Sequence, residues 1–240
     1  MQTLFGFDNL PAIEHAVATV GSYDGVHLGH KVLIDHVVER AKLRGGKSIV
    51  LTFEPHPRIT LGKADGLKLL TTVEEKRIIL EHLGVDYMLI IPFDKAFSQL
   101  SHDTFIRDYL LAKLHIEELV VGYNHRFGYN KSGDYYYLSS NGVTTTCIDQ
   151  QLVEDNKVSS TIIRQTIEQG DMTLANQLLG HSYIIKGYSD NNGFIPTDSY
   201  KLLPPSGCYR ATIGGGEYKI RIEDGGVHCP IKNKELIVEL

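Results

Sequence analysis

Gly21-Ser22-Tyr23-Asp24-Gly25-Val26-His27-Leu28-Gly29-His30 decides the fold. Val17-Ala18-Thr19-Val20 precedes it and reads as a strand. After it, Leu33, Ile34, Val37, Val38 and Ala41 fall at i, i+1, i+4, i+5 and i+8, one face of a helix that Gly45-Gly46 ends. The stretch is therefore a strand-to-helix turn. The helix N-terminus presents unpaired N–H groups and a positive dipole end, so anions settle there. Glycine lets the backbone approach a ligand closely. His27 and His30 are three residues apart and can point at one ligand, and Gly29 between them leaves room for an adenine ring or a phosphate.

Outward from this turn the pattern repeats. Ile49 to Phe53, Met88 to Ile91 and Leu119 to Val121 are continuous apolar runs, as strands covered on both faces require. Helices are predicted from about Val73 to Leu83 and from about Asp103 to Leu114. Strand-helix-strand order implies an α/β fold, a Rossmann-like, doubly wound parallel sheet with right-handed crossovers. The pattern changes near Gly180-His181-Ser182. Beyond it, Tyr183 to Ile185, Tyr209 to Ile213, Tyr218 to Ile222 and Leu236 to Val238 are short runs broken by glycine, proline and asparagine, an antiparallel β pattern. Two domains are expected, 1–182 and a small antiparallel β domain over 183–240. Gly214-Gly215-Gly216 is read as a hairpin turn.

The chain has 240 residues, 42% of them hydrophobic and 22% charged, enough to bury a full core. Net charge is −5, and lysine and arginine are scattered, which argues against nucleic acid as a partner. Three cysteines, Cys147, Cys208 and Cys229, show neither a disulfide framework nor metal spacing. The opening residues read as no signal peptide, and no apolar run is long enough for a bilayer, so a cytoplasmic protein without membrane partners is expected.

Three further segments carry chemistry. In Val158-Ser159-Ser160-Thr161-Ile162-Ile163-Arg164 a hydroxyl residue caps a helix and Arg164 emerges about one turn in. That gathers a hydroxyl, backbone N–H groups and a guanidinium around one anion. Thr52-Phe53-Glu54-Pro55-His56-Pro57-Arg58 ends the second strand, where doubly wound sheets bind ligands, and Phe53 can meet an aromatic ring. Gly122-Tyr123-Asn124-His125-Arg126-Phe127-Gly128, with Lys131-Ser132-Gly133-Asp134, gathers amide, cation and aromatic groups at another strand end.

Together these motifs resemble the bacterial FAD synthetase family, the bifunctional riboflavin kinase/FMN adenylyltransferases. The resemblance covers residues 14 to about 187 and includes Leu70-Thr71-Thr72 with Glu75-Lys76, Gly170-Asp171 and Leu178-Leu179-Gly180. It implies transfer of AMP from ATP to FMN, giving FAD and pyrophosphate, with Mg2+. It implies that His27, His30, Ser160, Thr161 and Arg164 contact ATP phosphates and that Asn124 lies near them. Asp24 would stand near the reacting phosphates and the metal, whose protein ligands are left unassigned. Gly21, Ser22, Tyr23, Gly29 and Ser159 complete the ATP-binding set. Phe53, Pro55, His56, Pro57, Arg58 and Phe127 would line the flavin pocket. His125 departs from the aromatic or small residue usual in the family.

The second module departs more. Against a family segment Gly-Arg-x-x-Gly-Phe-Pro-Thr-Ala-Asn stands Gly187-Tyr188-Ser189-Asp190-Asn191-Asn192-Gly193-Phe194-Ile195-Pro196-Thr197-Asp198. The arginine is absent, one residue is inserted before the proline, and Asp198 replaces the alanine. With the chain ending at Leu240, about half of the module is left, so a reduced β-barrel remnant without riboflavin kinase activity is expected. The alternatives are a nucleotidyltransferase with another phosphate acceptor and a non-catalytic flavin-binding protein. A metal hydrolase built on His27, His30, His56 and His125 lacks the clustered carboxylates it would need.

Overall fold

The structure, a computed structural model, describes residues 1–123, 125–140, 143–149, 152–153 and 156–240. The chain forms two compact units. The first comprises Met1–Tyr23, Gly29–Asp65 and Ile79–Gln151. The second comprises Asp24–Leu28, Gly66–Ile78 and Leu152–Leu240.

Six parallel strands build the first unit: β1 (Gln2–Phe5), β2 (Ala16–Val20), β3 (Ser48–Glu54), β4 (Tyr87–Pro92), β5 (Ile116–Gly122) and β6 (Thr144–Ile148), in the order β1-β4-β3-β2-β5-β6. All five residues of β2 are buried, as are five of the seven in β3, so strands covered on both faces read as apolar runs. From β2 the chain steps to β3 and β4 on one side of the sheet, then crosses to β5 and β6 on the other. The topological switch point thus lies between β2 and β5. Gly21 to His30 follows β2, Phe53 to Arg58 ends β3, and Gly122 to Gly128 follows β5. Three predicted motifs therefore sit at carboxyl ends beside the switch point, where doubly wound sheets bind ligands.

The crossovers are α1 (Leu28–Leu43), which leads to β3, and the short α2 (Pro57–Thr60) followed by α3 (Val73–His82). After β4 come α4 (Lys95–Ser98) and α5 (His102–Thr104). The helix predicted over 103–114 takes another form: α5 runs into a π-helix at Phe105–Leu111. Its closing hydrogen bonds reach five residues back, from Ala112 N to the Arg107 carbonyl (3.0 Å) and from Leu114 N to the Tyr109 carbonyl (3.1 Å), as a π turn requires. β1 and β6, which periodicity did not reveal, are the two edges. β1 is short and partly exposed, and β6 is threonine-rich and half-buried after an exposed Thr144, so neither carries an apolar run. α6 (Tyr135–Ser140) precedes β6.

The second unit begins its last segment with the hairpin β7 (Leu152–Val153) and β8 (Asn156–Lys157), then α7 (Ser160–Glu168) and α8 (Met172–Leu179). An antiparallel sheet follows: β9 (Ile184–Ser189), β10 (Phe194–Pro196), β11 (Gly207–Ile213), β12 (Gly216–Glu223), β13 (Gly226–His228) and β14 (Lys234–Glu239), ordered β10-β13-β12-β11-β14-β9. Ile163, Ile167, Leu178 and Leu179 of the two helices share one core with Ile185, Ile213, Ile222 and Val238 of the sheet. The triple-glycine turn is a two-residue hairpin loop: Ile213 pairs with Gly216, and Gly214 and Gly215 have φ of 58° and 83°. Positive φ at both loop positions matches the twist of the flanking strands.

Candidate active site

In the second unit the centre of the site is Asp24, whose side chain is 5% exposed. Its Oδ1 accepts from the backbone N–H groups of Leu70 (2.8 Å) and Thr71 (3.1 Å). Its Oδ2 accepts from Nη2 of Arg164 at 2.6 Å, and Arg164 Nε donates to the Lys68 carbonyl at 2.7 Å. Ser160 Oγ donates to the Asp24 carbonyl at 2.9 Å. Gly25 N donates to Thr71 Oγ1 at 3.0 Å, and His181 Nε2 faces the Gly25 carbonyl at 3.0 Å.

Local sequence explains why α7 delivers these groups. Ser159 is the N-cap, extended at φ −154°, ψ 151°, and its side chain accepts from Ile162 N. Ser160 opens the helix and Arg164 lies four residues on, so both share one face. The hydroxyl and the guanidinium both reach Asp24: Arg164 meets its carboxylate and Ser160 its backbone carbonyl. Thr161 is exposed in the same first turn. His27 is buried beside Asp24, and burial lowers its pKa to about 4 although Asp24 opposes the shift. Its imidazole is therefore neutral at neutral pH.

Glycine has a packing reason here. Gly25 has a φ of +85°, and a Cβ on it would stand 2.6 Å from Leu70 Cδ1. Gly25→Ala should cost about 2–4 kcal/mol, from the left-handed backbone and the overpacking together, read as a lower urea midpoint at unchanged slope. Gly180 ends α8 in the left-handed conformation, and a Cβ there would stand 2.3 Å from Leu28 Cδ2. Asp171 caps the start of α8. The Gly-Asp and Leu-Leu-Gly motifs thus define one helix.

In the first unit, Tyr23 is buried with a φ of +47°, and its hydroxyl meets Thr19 Oγ1 at 2.5 Å. His30, in the first turn of α1, packs edge-on against the Tyr23 ring, with centroids 5.1 Å apart. A Cβ on Gly21 would lie 3.1 Å from that ring, a tight contact. The Ser22 carbonyl accepts from Thr52 Oγ1 at 3.2 Å. Gly29 opens α1 beside His30.

Phe53 packs on Phe93 (5.2 Å) and Phe97 (6.3 Å), Phe97 on Phe105 (5.9 Å), and Phe105 on Phe127 (6.2 Å). Phe53 and Phe127 therefore belong to one aromatic cluster. His56 caps α2, accepting from Arg58 N at 3.2 Å; Pro57 opens that helix after an exposed Pro55. Arg58 Nε donates to the Lys63 carbonyl. His125 lies nearly parallel to Phe127 at 5.6 Å and is lowered to about pKa 4 by burial, so it joins the cluster as a neutral ring. A Cβ on Gly133 would stand 2.6 Å from Phe127 Cζ. Asp134 caps α6 through Tyr137 N and pairs with Arg126 at 2.6 Å. Asn124 lies outside the described residues.

Two residues with polar contacts to this frame escaped sequence reasoning. His181 directly follows the α8 cap, and Lys201 Nζ donates to the Leu70 carbonyl at 2.8 Å. Neither stands in a local pattern that signals its partner.

A parallel sheet with its switch point beside β2 and a glycine-containing turn after that strand are features of the doubly wound α/β class, which binds ligands at the carboxyl ends of its strands. Residues 10–162 match the model of the FAD synthetase family. The bifunctional riboflavin kinase/FMN adenylyltransferase of Listeria monocytogenes is 36% identical over 237 residues, 92% of this chain and 75% of that protein. The Escherichia coli protein of the same name is 35% identical over 78% of this chain and 62% of its own length, and that of Bacillus subtilis 33% over 85% and 69%. The chain belongs to the FAD synthetase family, and is thereby a nucleotidyltransferase of the FMN adenylyltransferase kind. A crystal structure titled as a macrolide-efflux protein from Streptococcus pneumoniae has the same fold, with a TM-score of 0.84 at 20% identity over 100% of this chain and 89% of that one. Among the described residues no helix is long and apolar enough to cross a membrane.

Proposed function

We propose that this FMN adenylyltransferase works by positioning and charge stabilisation, with no protein nucleophile. An oxygen of the FMN phosphate attacks the α-phosphorus of ATP in line. One P–O bond forms, the bond to the β-phosphate bridge breaks, and pyrophosphate leaves with the electron pair. The attacking oxygen is already ionised at neutral pH, so catalysis reduces to alignment and neutralisation of developing charge. His27 and His30 donate hydrogen bonds to phosphate oxygens. Arg164 supplies positive charge, the Ser160 and Thr161 end of α7 supplies N–H groups, and Asn124 adds an amide. Phe53, Pro55, His56, Pro57, Arg58 and Phe127 receive the flavin. The observation that carries the reading is the Asp24–Arg164–Ser160 frame at the capped start of α7, in a chain of this family.

Magnesium arrives as the ATP complex. Among the described residues no group of three His, Cys, Asp or Glu side chains is placed to hold a metal. Magnesium carried on phosphate oxygens needs few protein ligands.

Residues 1–182 are the adenylyltransferase module and 183–240 a kinase-like remnant without riboflavin kinase activity. The support for the latter lies in the altered Gly187 to Asp198 segment. Asp198 Oδ1 accepts from Tyr200 N at 2.7 Å and its carbonyl from Lys201 N at 2.9 Å, so the residue in the alanine position forms a turn.

Chromatography of reactions holding ATP and magnesium with either FMN or riboflavin tests both parts. FAD from FMN and no product from riboflavin is the expected result. FMN made from riboflavin would overturn the kinase reading, and no FAD from FMN would overturn the central one.

A further inference from the structure

The segment Lys68 to Thr72 has hydrogen bonds in two directions. Towards the site, the Lys68 carbonyl accepts from Arg164, the N–H groups of Leu70 and Thr71 donate to Asp24, and Thr71 Oγ1 accepts from Gly25 N. Away from it, Leu69 N donates to the Tyr200 carbonyl at 2.6 Å and the Leu69 carbonyl accepts from Leu202 N at 2.8 Å. The Leu70 carbonyl accepts from Lys201 Nζ at 2.8 Å, and Thr72 N donates to Glu75 Oε2 at 2.8 Å. One extended strap thus stands between the Asp24–Arg164 pair and residues 200–202.

Lys201 is the residue on which the far side converges. Its side chain is 1% exposed, as is that of Glu75. Its three ammonium donors are all used: on Glu75 Oε2 at 2.7 Å, on the Leu70 carbonyl and on the Ile184 carbonyl at 2.9 Å. The Tyr183 ring lies 4.2 Å from Nζ. Glu75 is equally committed. It completes a capping box with Thr72 at the start of α3, and its Oε1 accepts from Lys186 N of β9 at 2.9 Å.

Stability alone does not call for this pair. Apolar residues of similar volume generally stabilise a core at least as well as a buried ion pair, because both charges must leave water. What an ammonium with fixed acceptors provides, and a methyl group cannot, is register. It sets where the Leu70 carbonyl lies, and hence where the Leu70 and Thr71 amides meet Asp24.

We infer that Lys201, held by Glu75, is a positioning residue for adenylyl transfer: it fixes the 68–72 strap so that Asp24 holds Arg164 at the ATP phosphates. This rests on the reaction proposed above. It also gives the kinase-like remnant a task, since Asp198 builds the turn that delivers Lys201.

The test is the kinetics of Lys201→Met and Arg164→Ala, singly and combined, with the full chain. Wild type is assayed first, and its failure to make FAD from FMN would sink the underlying reaction rather than this inference. Given wild-type turnover, Lys201→Met should raise the KM for ATP about tenfold or more with the KM for FMN within about twofold. In the Arg164→Ala background the same change should have less than about a twofold further effect on kcat/KM, since both act through one pair. A residue that only supports folding would lower the active fraction and leave both KM values alone. Unchanged KM values, or effects that multiply across the two backgrounds, overturn the inference. Should Lys201→Met fail to fold, Glu75→Gln keeps one acceptor oxygen for the Thr72 N–H cap while removing the charge, at the loss of the acceptor for Lys186 N. The same selective rise in the KM for ATP is then expected, and its absence overturns the proposal equally.

Discussion

Arg164→Lys is expected to lower kcat/KM for FAD formation on the order of 10²- to 10³-fold while the chain still folds. The side chain makes two contacts in different directions, Nη2 on Asp24 and Nε on the Lys68 carbonyl. A guanidinium fork reaches both and keeps further N–H groups for a phosphate, whereas an ammonium is a point charge that must choose. A hundredfold loss corresponds to about 2.7 kcal/mol of transition-state stabilisation. Arg164→Ala goes further, because it leaves the buried Asp24 carboxylate with only backbone N–H partners. That should cost about 3 kcal/mol in stability. Asp24→Asn added to Arg164→Ala should restore much of that stability and none of the activity, since it removes the stranded charge without replacing the cation. Urea melts and steady-state kinetics on the same preparations separate the two effects. Activity of Arg164→Lys within threefold of wild type would remove Arg164 from the phosphate-binding role.

The sequence disclosed what short-range pattern can carry. β2, β3 and β4 were legible because strands covered on both faces leave continuous apolar runs. The edge strands were not, since Gln2 to Phe5 and Thr144 to Ile148 are only partly covered and show no such run. The stretch Phe105 to Leu111 looked α-helical because its apolar residues also fit a helical face; only the backbone hydrogen bonds that reach five residues back reveal the π turn. At the site, residue types were legible and partners were not. Arg164 advertises an anion, yet nothing local says that the carboxylate it meets lies 140 residues earlier at Asp24. Lys201 and Glu75 are 126 residues apart and no local spacing links them, so their pairing exists only in the fold. At Gly21 and Gly25 what approaches the backbone in the fold is the Tyr23 ring and the Leu70 side chain, neither of which the local sequence announces.

His27 should act as a neutral hydrogen-bond donor, and its effect on stability should betray this. Burial holds its pKa near 4 against an ordinary 6.5, although Asp24 pulls the other way. The unfolded chain therefore takes up a proton on this side chain at a pH where the folded chain refuses it. The sign follows: stability is fully present above about pH 6.5 and is lost as pH falls towards about 4, by up to about 3 kcal/mol. His125, depressed to about the same value by burial, adds a loss in the same direction and window. His27→Asn should abolish the first contribution and keep the second, so urea midpoints taken between pH 7.5 and 4.5 should fall less steeply than in wild type. Equal slopes would mean that His27 titrates normally in the fold. The kinetic counterpart is that wild-type kcat/KM should not decline as pH rises through 6.5, because no imidazolium is lost there. At pH 7.5 His27→Asn should still cost on the order of 10²-fold in kcat, the usual loss for a group aimed at developing phosphate charge. A decline centred near pH 6.5 that disappears in His27→Asn would instead assign the catalytic role to the charged ring.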